Sequence, residues 1–81
     1  MTSEIPVFNF ATAITLIKAG MKVARTGWNG QGMYITAQFP DTNSKMQRPY
    51  IYMSPVDGCL VPWVASQSDL LSEDWYLINE F

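Results

Sequence analysis

The first regular pattern in this chain is apolar: Phe10, Ala13, Ile14 and Ile17 fall at i, i+3, i+4 and i+7, one face of a helix. The spacing predicts a helix over residues 10–19. Asn9 is placed to cap its N-terminus, Lys18 suits the C-terminal end of the helix dipole, and Gly20 suits the left-handed residue after the last turn. Residues 1–8 read as extended or frayed, since Pro6 argues against an earlier helical start.

From Met21 onward the pattern shifts toward period two. Strands are predicted at residues 21–24, 33–39, 50–54, 60–65 and 75–78. The run Trp28-Asn29-Gly30-Gln31-Gly32 is a turn, its Asn-Gly step favouring positive φ. A polar loop occupies residues 40–47, Pro49 opens the third strand, and Val56-Asp57-Gly58-Cys59 is a hairpin turn. Pro62 has no N–H to donate, which puts residues 60–65 on a sheet edge or at a bulge. Residues 68–74 allow one helical turn capped by Ser68 or Asp69. A helix followed by hairpin-linked strands predicts an α+β fold, with the N-terminal helix packed on a mostly antiparallel sheet. A chain of 81 residues fits one domain, residues 1–81.

Composition changes this picture in one respect. The chain is 48% hydrophobic and only 15% charged. A domain of this size buries only about 60% of its unfolded surface, so apolar side chains are left over for contact with another copy. A homo-oligomer is the expectation. Cys59 is the single cysteine, which excludes an internal disulfide framework and suits a reducing compartment. No apolar run approaches the roughly 20 residues of a membrane span. Residues 1–10 hold Glu4 and no basic residue, unlike a secretory signal. Net charge is −2 and the five basic residues are dispersed, so there is no basic stripe for a nucleic-acid polymer. Arg25 and Arg48 suffice for one small anion.

The residues argue against catalysis. The chain has no histidine, and its Ser and Cys side chains lack an evident activating partner. Asp69, Glu73 and Asp74 could pair as glycosidase carboxylates do, but the simpler reading makes Asp69 a cap or ligand contact and leaves Glu73 and Asp74 solvated. Neither a metal-ligand spacing nor a P-loop is present, and no cofactor is implied. Binding is better served. Trp28 and Trp63 each sit beside small or polar residues, where an indole face can stay open. A base stacked on such a face gains about 1–3 kcal/mol. Asn29, Ser66, Gln67 and Asp69 offer polar groups for a ribose or base edge, and Gly27, Gly30 and Gly32 let backbone N–H groups approach phosphate. The competing reading makes both tryptophans plain core. Trp75, beside Tyr76, Leu77 and Ile78, is core on either reading. The clusters at 25–32 and 62–75 are expected to converge on a small polar ligand.

The same residues carry a resemblance. Arg25-x-Gly27-Trp28-Asn29-Gly30-x-Gly32-Met33-Tyr34, Arg48-Pro49, Asp57-Gly58 and Pro62-Trp63-x-Ala65-Ser66-Gln67-x-Asp69-Leu70-Leu71-x-x-Asp74-Trp75 together resemble the second Thoeris anti-defence family of small phage proteins. The likeness runs from Phe10 to Ile78 with order and spacing kept. It implies a homotetrameric sponge in the host bacterial cytoplasm that binds a cyclic ADP-ribose signal (glycocyclic ADP-ribose) without cleaving it. Some members also bind cyclic dinucleotides of a second, cGAS-like defence system (CBASS) at a separate site. Carried across, it makes Trp28, Asn29 and Gly30 the base and ribose wall and Arg25 a phosphate or structural contact. Trp63, Ala65, Ser66, Gln67 and Asp69 become a second wall, lent by the same or a neighbouring protomer. Arg48, Tyr50 and Tyr52 are outlying contacts. The chain departs from the family at Thr12, where an acidic residue often completes the helix cap, and in a shorter loop at 40–47, which bears on ligand preference. The rival reading is a protein-interaction module that inhibits a host protein, with the aromatics as hot spots.

Overall fold

A computed structural model describes residues 6–28 and 32–78. Helix α1 spans Phe10–Lys18, and its ends follow from the sequence. The Asn9 side chain accepts from the Thr12 N–H at 3.1 Å. At the other end Gly20 has φ +89°; its N–H donates to Ile17 O and the Met21 N–H to Leu16 O, both at 3.0 Å. This paired closure of the last turn needs a left-handed residue, and glycine adopts it without steric cost.

Five strands follow, β1 (Lys22–Arg25), β2 (Tyr34–Gln38), β3 (Tyr50–Ser54), β4 (Val61–Pro62) and β5 (Trp75–Ile78), with helix α2 (Gln67–Leu71) between the last two. They form one antiparallel sheet in the order β4-β3-β2-β1-β5. The expected α+β class is the one observed. Two elements depart from expectation by more than a single residue at an end. The fourth strand has two residues rather than six, because Pro62 cannot extend the ladder; only the Trp63 N–H continues it, donating to Ile51 O at 3.0 Å. α2 starts after Ser66, not Ser68 or Asp69. Phe8 takes the extended alternative: it exchanges both backbone hydrogen bonds with Trp75, at 2.9 and 3.1 Å, on the outer side of β5.

The pleat sorts side chains by parity. Val23, Ile35 and Trp75 point toward α1 and, with Ala13 and Ile17, form the buried core. Ala37, Ile51, Met53 and Leu77 pack on the same side. The alternate positions carry all four tyrosines, Tyr34, Tyr50, Tyr52 and Tyr76, each half-buried on the face without a helix. There Lys22 Nζ lies 4.6 Å from the Tyr34 ring centroid. The Thr36 hydroxyl donates to Met21 O at 2.8 Å, so its burial leaves no donor unpaired.

Candidate functional site

Trp75 is the hub. It is wholly buried at the start of β5, and its indole Nε1–H donates to Asp69 O at 3.0 Å. Trp28 and Trp63 both stand edge-on to it, with ring centroids 5.4 and 6.1 Å away and interplanar angles of 79° and 89°. Phe10 closes the group, 5.3 Å from Trp75 and 6.2 Å from Trp63. Edge-to-face contacts of this kind contribute about 0.5–1.5 kcal/mol each beyond area burial. In a flat sheet β4 and β5 would lie about 19 Å apart. Trp63, just past β4, nevertheless reaches Trp75 on the opposite edge strand. Trp28 and Trp63 remain half-exposed. They are part of the packing and also have surface to offer.

Arg25 ties the two clusters together within one chain. It ends β1 directly opposite Trp75 in the register. Its Nε donates to Asp74 Oδ1 at 2.9 Å and its Nη1 to Asp69 Oδ1 at 2.8 Å. Asp69 is 8% exposed, yet every bond it needs is present. Its Oδ2 accepts from the Ser66 N–H at 2.9 Å, and its own N–H donates to Ser66 Oγ at 3.1 Å. This reciprocal pair is a capping box, and it fixes the first turn of α2. Asp74 is not solvated as the sequence suggested. It takes Arg25 at one oxygen, and at the other the Gly27 N–H (3.0 Å) and the Thr26 hydroxyl (3.2 Å).

The electrostatics follow. Burial pushes the Asp69 carboxyl up, but the Ser66 N–H, the Arg25 guanidinium and smaller contributions from Ser66 and Trp28 outweigh it and hold it below the usual range. For Asp74 the Arg25 hydrogen bond is the largest influence, and it too lies low despite some desolvation. Arg25 is raised, by Asp74 first and against its own desolvation. The triad carries one positive and two negative charges, and a phosphate reaching Arg25 would displace a carboxylate already bound there.

A pH prediction comes directly from the two depressed carboxyls. The unfolded chain takes up protons near the ordinary aspartate value of about 3.9, while the native state resists. Their stabilisation is complete above about pH 4 and is lost as pH falls through the folded values. Urea melts should show the midpoint dropping on the acid side of pH 4, and Asp69→Asn should both lower the neutral-pH midpoint and flatten that acid limb. An unchanged limb in Asp69→Asn would contradict the assignment.

The other anticipated site residues are distributed as follows. Ser66 is exposed with its side chain engaged in the cap, Gln67 is exposed in the first turn of α2, and Ala65 is half-buried beside Trp63 in sequence. Asn29 and Gly30 lie outside the described residues. Tyr50 and Tyr52 do not join the group: they alternate with core-facing Ile51 and Met53, their rings meet each other at 6.5 Å, and they line a cleft with Gln38, Met46 and Pro62. Arg48 is exposed in the loop before β3. Phe10 lies outside the two sequence clusters, and Thr26 and Asp74 lie inside them without having been singled out as contacts. The pairing of Asp74 with Arg25, 49 residues away, has no local signal.

A family model for the Thoeris anti-defense 2-like domain matches residues 8–78. The chain is also similar to a protein of Bacillus phage SP01 described as Thoeris anti-defense 2. The two are 30% identical over 84 residues, covering 88% of this chain and 94% of that protein.

Proposed function

Because this chain belongs to the Thoeris anti-defense 2-like family, we propose that it is a phage anti-defence sponge. It binds a cyclic ADP-ribose-type immune signal, glycocyclic ADP-ribose, in the host bacterial cytoplasm and withholds it without cleavage. Cyclic dinucleotides of CBASS are a second ligand class on this reading, and the working assembly is a homotetramer. The observation that carries it is the pair of half-open indoles, Trp28 and Trp63, held against one buried ring and beside the polar first turn of α2. Stacking accounts for the base, and Ser66 and Gln67 border the space where a ribose would sit. Arg25 is assigned to the framework, since its Nε and Nη1 are both engaged by carboxylates.

The chemistry of the cluster supports binding over turnover. Among the described residues its carboxylates are Asp69 and Asp74, and both are held below the usual range, Asp69 by the Ser66 N–H first and then Arg25, Asp74 by Arg25 first. A general acid at neutral pH needs the opposite shift. Nanomolar retention corresponds to about −12 kcal/mol. A single small protomer encloses too little for that, which supports a pocket completed at a subunit contact.

A second reading has its own observation. Val64, Leu70 and Leu71, next to Trp63 and on α2, are 88%, 47% and 80% exposed. Such a patch also suits a host-protein inhibitor. One assay separates the readings. Purified protein, sized by light scattering, is mixed with glycocyclic ADP-ribose, filtered, then heated to denaturation. The expected outcome is a particle of four protomer masses, a filtrate depleted of signal, and full recovery of intact signal after heating. Cleaved product would identify an enzyme, and an undepleted filtrate would favour the interaction module.

A further inference from the structure

We propose that Asp74 is the positioning residue of this site, an inference that rests on the binding reading above. Its carboxylate sets the 25–28 turn and, through Arg25, fixes that turn to the start of α2. Three consecutive residues donate to this one side chain: Arg25 through Nε (2.9 Å), Thr26 through its hydroxyl (3.2 Å) and Gly27 through its backbone N–H (3.0 Å). The Thr26 N–H also donates to Asp74 O at 3.0 Å, and the next bond along, Trp28 N–H to Arg25 O at 3.2 Å, turns the chain into Trp28. From Arg25 the network passes to Asp69 and from Asp69 to Ser66. One continuous set of charge-assisted bonds therefore links the segment carrying Trp28 to the segment carrying Ser66 and Gln67.

Two further observations make this a matter of placement rather than of fold. Thr26 and Gly27 are exposed, so little packing holds the turn apart from these bonds. The rest of the assembly has its own supports: the β1–β5 ladder, the Trp75 indole bond to Asp69 O, and the capping box of α2. Gly27 is there because the carboxylate comes so close; a Cβ on it would meet Asp74 Oδ2 at 3.0 Å. Loss of Asp74 loosens the turn and misplaces Trp28 while the sheet persists.

The test uses Asp74→Asn, Asp74→Glu and Gly27→Ala in the full chain, with two readouts. The first is amide exchange without ligand. Gly27 and Trp28 should lose protection about tenfold in Asp74→Asn, with Val23 and Ile35 unmoved. The second is calorimetry with glycocyclic ADP-ribose, where Kd should rise tenfold or more in Asp74→Asn, rise in the same direction in Gly27→Ala, and recover in part in Asp74→Glu. Unchanged exchange at Gly27 and Trp28, or a loosened turn that binds as tightly as the wild type, overturns the proposal. Should Asp74→Asn fail to fold, Gly27→Ala keeps every charge and decides the matter on the same readouts. A wild type that takes up no probe overturns the binding reading itself, an outcome distinct from a binding wild type with an indifferent variant.

Discussion

Trp75→Ala is expected to abolish cooperative unfolding near room temperature. The side chain is fully buried, touches Phe10, Trp28 and Trp63, and donates its Nε1–H to Asp69 O. Truncating a buried aromatic costs about 3–5 kcal/mol. Leaving a carbonyl without its donor adds about 1–3 kcal/mol. Small domains hold only about 5–15 kcal/mol in total, and the low end of that range applies at this length. The sum consumes most or all of the margin. Circular dichroism on heating gives the answer: a flat trace agrees, whereas a melt within about 5 °C of the wild type would contradict the hub assignment, since each kcal/mol moves such a domain by about 4–8 °C. Trp75→Phe, which keeps a ring and loses only the N–H, should fall between the two.

Trp28→Ala should do the converse, removing ligand uptake while leaving a folded protein. Trp28 is half-exposed, and its ring contact with Trp75 contributes about 0.5–1.5 kcal/mol, a loss the domain tolerates. Stacking of a base on the indole contributes about 1–3 kcal/mol, so affinity should drop by about ten- to a hundredfold, and depletion of a scarce signal should fail. Calorimetry beside a thermal melt separates the two effects. A variant that unfolds would place Trp28 in the core alone, and a variant that binds normally would remove it from the site. Trp28→Phe, with a smaller face for stacking, should bind at an intermediate level.

The fold was legible where the signal is local. The i, i+3, i+4, i+7 pattern and Gly20 located α1, and the alternation in residues 33–39 and 50–54 located the two central strands. Position 62 reads as an edge or a bulge, and the structure has it on the edge with a larger effect than that reading implies. A proline there leaves a two-residue strand. α2 was misplaced by two residues because both Ser66 and Ser68 are competent caps, and only the reciprocal bond from the Asp69 side chain distinguishes them. The convergence of residues 25–28 on residues 63–75 was anticipated from their shared aromatic and polar character. What no local pattern could supply is the means of that convergence. A doubly paired arginine and an acidic residue that looks like solvated surface are long-range facts, visible only once β1 and β5 lie side by side. For the same reason Tyr50 could not be separated from the cluster until the pleat assigned it to the other face.

The pairing of β1 with β5 has a consequence in time. Arg25 meets Asp74 across 49 residues, whereas β2 and β3 are joined over a much shorter loop. Contacts so distant along the chain are entropically expensive to bring together and set the pace of two-state folding. The segments carrying Trp28 and Trp75 are therefore brought together when the final strand docks. On the binding reading, acquisition of ligand uptake during refolding should therefore track the docking of β5.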